Sequence, residues 1–312
     1  MQTPVILCVF NPEHDLCLAN GDRNFVPPSS AMEFARTGGD VMRILYGDSV
    51  DVIDSDNYSA WRKRQQGDPQ KIIAWGWDSR LKQTLLKQGV QECLLPSDEQ
   101  LARIRELQHR KTILPLQPQA WCVYNSDEVR ECLTECGRVV LKAPWSGSGR
   151  GLRWVDKTLS GQDEAWIAKT VASQRCVIVE KRQDIAFDFA LEFNVSESEV
   201  EFVGLSLFKT QSGVYRGNIL ISDDEIRLRL ELPDNIDNAL RQWLQHYVAP
   251  YYNGPVGIDM FKNVDGEFFV CEMNLRHTMG QVAHRLLQIC PELHGSCWSP
   301  VCKNIQYPTT NC

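Results

Sequence analysis

The stretch Val256-Gly257-Ile258-Asp259-Met260-Phe261, followed after residues 262–266 by Glu267-Phe268-Phe269-Val270-Cys271-Glu272-Met273-Asn274-Leu275-Arg276, reads as a β-hairpin with one carboxylate set among apolar residues on each arm. Asp265-Gly266 is a strong two-residue turn signal. With those two residues as the turn, Val264 pairs with Glu267, and the same register sets Phe261 against Val270 and Asp259 directly across from Glu272. Strand alternation then puts Asn274 and Arg276 on the face of Glu272 and turns Cys271 and Met273 to the other. Like charges directly across a sheet repel, so such a pair needs a cation between its members. Hard oxygen donors of this kind suit Mg²⁺ or Mn²⁺ and not zinc. A solvated face is the plain alternative, but Ile258, Met260, Phe269 and Val270 surround the two acids. A one-residue slip in register would undo the pairing.

Upstream, the apolar run Val139-Val140-Leu141-Lys142-Ala143 leads into Pro144-Trp145-Ser146-Gly147-Ser148-Gly149-Arg150-Gly151 and then into Leu152-Arg153-Trp154-Val155. Small residues let backbone N–H groups approach phosphate oxygens, and Lys142 and Arg150 would neutralise their charge. Both the Walker loop and the dinucleotide fingerprint require a helix directly after their glycines, and here a strand-like run follows. Arg150-Gly151 also fails the Walker requirement for Lys-Ser or Lys-Thr. What remains is a glycine loop joining two strands, as in lids that fold over phosphates. A plain flexible turn would explain the glycines, but a lysine inside an apolar strand calls for an anionic partner.

Working outward, residues 1–97 alternate strand and helix signals. Strands are predicted over residues 5–10 and 71–75 and helices over 30–45 and 79–88, the pattern of an open parallel sheet flanked by helices. Ser97 reads as an N-cap, which places a boundary near residue 97. Further strands are predicted over 139–143, 152–155, 176–180, 202–209 and 215–221, with helices over 163–172 and 235–246. Residues 296–312 carry turn formers without periodicity and read as a loosely packed tail.

The chain has 312 residues, 43% hydrophobic and 23% charged, enough for several packed units and against disorder. A net charge of −7 argues against a nucleic-acid-binding body. The apolar run 5–10, without a basic segment before it, is too short for a signal-peptide core or a membrane span, so a cytoplasmic protein is expected. In that reducing setting the 12 cysteines stay as thiols, and Cys8, Cys176 and Cys271 read as small buried hydrophobes. Cys290, Cys297, Cys302 and Cys312, near His284 and His294, form no CxxC pair of the kind zinc sites use.

A lysine strand running into a Ser/Gly loop, a later Val-Ile-Val-Glu strand end, and a distal hairpin ending Glu-x-Asn-x-Arg together resemble the ATP-grasp superfamily. The resemblance covers roughly residues 107–280, and residues 1–97 resemble the α/β domain that precedes it in the family. The fold class implied is α/β, α+β in its catalytic part: an N-terminal Rossmann-like pre-ATP-grasp domain (1–97), a central ATP-binding subdomain with the lid (98–180), a C-terminal subdomain with the hairpin (181–295), and the tail (296–312). The resemblance implies that Lys142 contacts the nucleotide, that Ser146, Gly147, Ser148, Gly149 and Arg150 form its lid, and that Glu180 and Lys181 form the hinge beside adenine. Asp188 would hold the ribose, displaced by one position from the family pattern. Lys111, with Arg110 as second choice, would be the family's earlier lysine. Asp259, Glu272 and Asn274 match the metal ligands, Arg276 the arginine that follows them, and Lys209 or Arg216 would reach the transferred phosphate.

The chemistry so implied is ADP-forming ligation with ATP and Mg²⁺ (or Mn²⁺) between a small carboxylate and an amine, with no nucleic-acid or membrane partner and with a homodimer compatible. Asn11-Pro12-Glu13-His14-Asp15 and His277-Thr278 are placed to touch the acceptor; His14 and His277 satisfying local turns is the plainer alternative. A phosphotransferase that stops at phosphorylation and a non-catalytic nucleotide sensor are the rival expectations.

Overall fold

A computed structural model describes residues 5–300 except 66 and 148–150. The first segment contains β1 (Ile6–Val9), α1 (His14–Asn20), α2 (Ser29–Thr37), α3 (Asp40–Tyr46), β2 (Asp51–Ile53), α4 (Tyr58–Gln65), β3 (Lys71–Ala74) and α5 (Ser79–Lys87). Its three strands form a parallel sheet in the order β2-β1-β3. β1 is apolar throughout because both its faces are covered. Leu7 and Val9 pack with Tyr58, Trp61, Leu81 and Leu85, and Cys8 and Phe10 pack with Val41, Met42 and the distant Val282. The single helix expected over 30–45 is broken into α2 and α3 at Gly38-Gly39. α6 (Asp98–Leu107) starts at the predicted Ser97 cap, closed by a reciprocal bond with Gln100.

β4 (Ala120–Val123), α7 (Ser126–Cys136), β5 (Arg138–Lys142), β6 (Leu152–Asp156), α8 (Gly161–Gln174) and β7 (Val177–Lys181) follow. Their strands make an antiparallel sheet in the order β4-β7-β5-β6. The helices cover one face, where Val139, Leu141 and Val179 pack with Val129, Leu133 and Ile167. By alternation Val140 and Lys142 belong to the other face.

The largest sheet is built from β8 (Ile185–Val195), β9 (Val200–Gln211), β10 (Val214–Ile219), β11 (Gly254–Asn263), β12 (Phe268–Asn274) and β13 (Cys297–Trp298), with α9 (Asp223–Leu230), α10 (Ile236–Tyr247) and α11 (Met279–Ile289) between them. Its order is β12-β11-β8-β9-β10-β13. β8, the central strand, was not anticipated although it alternates strictly: Phe189, Leu191 and Phe193 enter the main core with residues of α6, α9 and α10, while Asp188, Ala190 and Glu192 face away. The tail departs from expectation too. Ser296 is fully buried and β13 pairs with β10, setting Ile219 against Cys297. Residues 301–312 lie outside the described residues. None of the described helices is long and apolar enough to cross a membrane.

Asp259 does pair with Glu272, but by a different route from the one the turn signal predicts. The loop holds three residues, 264–266, closed by the Asn263 amide donating to the Glu267 carbonyl at 2.9 Å. Phe261 therefore faces Phe269 and Met260 faces Val270. A bulge that takes in Cys271 then restores the Asp259–Glu272 pair and, because a bulge re-aims a side chain, turns the Cys271 thiol into the interior beside Lys142.

Leu191 is fully buried at the centre of the main core. Leu191→Ala should destabilise the protein by about 2–5 kcal/mol in urea unfolding, the usual result of a cavity at a closely packed position.

Candidate active site

The faces left uncovered by helices enclose a cavity of about 920 Å³, which extends to Pro12, Asp15, Leu16 and Trp75 at the strand ends of the parallel sheet. Of the residues singled out in the sequence, Lys142, Gly147, Glu180, Lys181, Asp188, Asp259, Glu272, Asn274, Arg276 and Asp15 line it. Ser148, Gly149 and Arg150 lie outside the described residues.

On the four-stranded side, Lys142 is 6% exposed and its Nζ lies 2.7 Å from Glu180 Oε2 and 3.4 Å from Cys271 Sγ. Burial works against the lysine charge, the Glu180 carboxylate at 2.7 Å favours it, and its pKa stands above the ordinary value. Burial pushes the Cys271 thiol up to about 11, which keeps it protonated at neutral pH. Gln117 donates to both Glu180 and the Val270 carbonyl, tying the C-terminal end of β7 to β12. Asp188 accepts from the Thr210 hydroxyl at 2.7 Å, and burial raises its pKa.

On the hairpin side, Asn274 Nδ2 donates to Asp259 at 3.1 Å while its Oδ1 accepts from Arg276 at 3.0 Å. Arg276 also grips Asp15 through two bonds of 2.9 Å. Burial would raise the pKa of Asp15, and this guanidinium reverses the effect and holds it below the usual carboxylate value. Burial and the nearby Glu272 push Asp259 up to about 7. The base of the glycine loop is anchored by Arg110, which donates to Ser146 Oγ at 2.8 Å and to Glu272 at 2.7 Å. Gly147 passes so close over Asp15 that a Cβ there would lie 2.5 Å from its Oδ2.

Other expected residues sit elsewhere. Lys111 is exposed, and it is the adjacent Arg110, the second choice in the sequence, that reaches the site. Lys209 is exposed and lies between Phe208 and Thr210, whose side chains line the cavity. Arg216 is exposed at a bulge in β10. His14 is fully buried with Nδ1 3.2 Å from Asp78. His277 is held between Tyr46 and Gln281, and burial lowers its pKa to about 4, so it is neutral at physiological pH. Neither histidine is among the residues that line the cavity, and each has a partner remote in sequence. Sequence reading passed over Glu192, which lines the cavity from β8; an acid between Leu191 and Phe193 was its signal.

Among the described residues no three of His, Cys, Asp or Glu converge as a metal cluster. Two opposed carboxylates with an adjoining amide still fit Mg²⁺, which is commonly held by one or two carboxylates and completes its shell with substrate phosphates and water.

Solved structures resemble this chain over nearly its whole length. N5-carboxyaminoimidazole synthetase from Staphylococcus aureus, complexed with ADP, matches with a TM-score of 0.52 and 14% identity over 92% of this chain and 77% of that one. D-cycloserine synthetase matches with a TM-score of 0.55 and 14% identity over 92% and 99%. D-alanyl-alanine synthetase A from Vibrio cholerae O1 biovar eltor matches with a TM-score of 0.52 and 13% identity over 93% and 94%. No protein-family model matches the sequence, and no curated protein does. The likeness is one of fold: the chain has the ATP-grasp fold.

Asp259 holds its proton more tightly folded than unfolded, so its contribution to stability is present at acid pH and lost as pH rises through about 7. Without metal, Asp259→Asn should therefore melt higher than the parent at pH 8, by less at pH 5, and close to it at about pH 4 or below, under the unfolded pKa of an aspartate. Thermal unfolding across that range checks this, and parallel melting curves would exclude the raised pKa of Asp259.

Proposed function

We propose that the chain is an ATP- and Mg²⁺-dependent ligase that activates a small carboxylate as an acylphosphate for attack by an amine or similar nucleophile, releasing ADP and phosphate. The observation that carries this reading is one cavity with the Lys142–Glu180 pair on one wall and the Asp259–Glu272 pair on the other, in the ATP-grasp fold. Each D-alanyl-alanine or D-cycloserine synthetase named above makes a small molecule, which agrees in general with such a reaction.

In this reading residues 1–97 form the Rossmann-like domain, 98–180 and 181–295 the two nucleotide-binding subdomains, and 296–312 the tail. Lys142 and the loop 146–150 contact the phosphates, Glu180 and Lys181 flank adenine, and Asp188 holds the ribose. Asp259, Glu272 and Asn274 hold Mg²⁺. When bound, that ion would offset charge on the phosphates. Arg110, buried, and Arg276, half-buried beside it, stabilise charge that develops on the transferred group. Arg110 takes the role assigned in the sequence to Lys111, and Lys209 and Arg216 are second candidates for the phosphate. The loop, seated on Asp15 through Gly147, shields the acylphosphate from water. The reaction takes place in the cytoplasm.

Glu272→Gln should reduce Mg²⁺-dependent ATP turnover by about 100-fold or more while far-UV circular dichroism is unchanged, in line with loss of a charge needed in the transition state. A parent-like rate would reject the metal assignment. Ligation is tested by measuring ADP and phosphate release over paired carboxylates and amines with product masses recorded. ADP release that leaves only a stable phosphorylated product would make the protein a phosphotransferase.

A further inference from the structure

One wall of the cavity is built from residues 1–97, and among its described residues Asp15 is the only charged one. That carboxylate is bonded twice to Arg276, so the wall has no group left to pair with a charged ligand side chain. Leu16 lies in the first turn of α1, and Ala31 and Phe34 stand three residues apart on one face of α2. All three line the cavity and are half-buried, so each offers it apolar surface.

This wall is braced from behind. Phe34 sets its edge against Phe10 with the centroids 5.5 Å apart, and Phe10 meets Trp75 in the same manner at 5.3 Å. Gly38 admits the arrangement: a Cβ there would lie 2.8 Å from the Phe10 ring and 3.0 Å from that of Phe34. The chain leaving the hairpin completes the wall. After Arg276, the His277 amide donates to the Trp75 carbonyl at 2.9 Å, and Met279, half-buried, packs against the same cluster as Phe34 and also lines the cavity. The guanidinium and the apolar wall are thus three residues apart along one segment.

A mainly apolar pocket with a few polar groups at one end fixes the orientation of its ligand. Here the polar end is Arg276 with Asn274, beside the Asp259–Glu272 pair. In the ligase reading the nucleotide occupies the side of Lys142 and Glu180, which leaves the apolar wall to a second ligand. We propose that this wall receives the side chain of the acid that is activated, with its carboxylate beside Arg276 and its side chain against Leu16, Phe34 and Met279. The substrate class is a monocarboxylic acid with a branched aliphatic or aromatic side chain. A second carboxylate or an ammonium group at the far end of that side chain would lose its hydration against an uncharged wall, so such acids are rejected. This inference rests on the ligase reading, because it takes the ligand beside the metal pair to be the activated acid.

The test is calorimetric titration of the full chain, with Mg²⁺ and a non-hydrolysable ATP analogue present, by two series of acids. One runs acetate, butyrate, 3-methylbutanoate and phenylacetate, with succinate as the charged control; the other runs glycine, valine, leucine and phenylalanine, with aspartate as the control. In at least one series affinity should climb roughly tenfold or more from the first member to the best, at roughly fourfold for each methylene removed from water, while the control binds no better than the first member. Ala31→Leu, which narrows the pocket on an element that tolerates leucine, should weaken the largest member roughly tenfold and leave the smallest, and the ATP analogue, within about twofold. Retained nucleotide affinity also reports a folded protein. Should Ala31→Leu fail to fold, Leu16→Asn should flatten the climb to about twofold or less. No binding by any acid, equal affinity along both series, a preference for the charged controls, or a climb that both variants leave unchanged overturns the pocket while the ligase reading stands. Failure of the parent to bind the ATP analogue overturns both.

Discussion

Asp259 and Glu272 face each other across one hairpin, and at about 4 Å two like charges repel by about 4 kcal/mol at the effective dielectric of a protein surface. The surroundings of the pair are arranged against that repulsion. Arg110 comes from the segment ahead of the four-stranded sheet and takes Glu272, Arg276 follows the hairpin itself, and Asn274 lends an amide proton to Asp259. Each of these groups has a second partner. Arg110 holds the base of the glycine loop, and Arg276 holds Asp15 in the first turn of α1, just beyond the end of β1. Neutralising one pair of acids therefore joins three sheets that have separate cores. Burial and the facing Glu272 keep Asp259 near its protonated form, and its near-neutral pKa leaves it ready to ionise for a cation.

Much of the fold was legible because β1, β5, β7 and β9 are apolar or alternating runs bounded by turn residues, and because Ser97 announces a helix start. β8 was overlooked for a physical reason. Its alternation of Phe189, Leu191 and Phe193 with Asp188, Ala190 and Glu192 places acids where a solvated loop would also place them, and only its burial between β9 and β11 distinguishes the two. β13 is two residues long and held by pairing alone, so no periodicity could reveal it.

For the site, residue chemistry in a defined register located Asp259, Glu272, Asn274 and Arg276, while the path between them depended on a bulge that no local propensity predicts. Two opposing slips, one at the turn and one at Cys271, cancel at the carboxylates and leave their trace in the cysteine, which lines the cavity with Glu272 instead of turning to the opposite face. Lys111 and Arg110 are chemically similar neighbours, and the short helix that begins at Arg110 settles which of them points inward. Glu192 shows in the sequence only as an acid between Leu191 and Phe193, and its contacts with Ser206 and Thr278 join segments far apart in the chain.

The two-pronged contact between Arg276 and Asp15 has a further consequence for any anion that must use that guanidinium. Asp15 is a competitor that never diffuses away. Held in place by its own chain, it acts at a high effective concentration, in the millimolar range or above for a short tether. An incoming carboxylate or phosphate is therefore measured against this internal occupant, and its apparent affinity is lower than its contacts alone would give. Weak anions are refused, and the guanidinium is released only to a ligand that brings enough additional binding of its own.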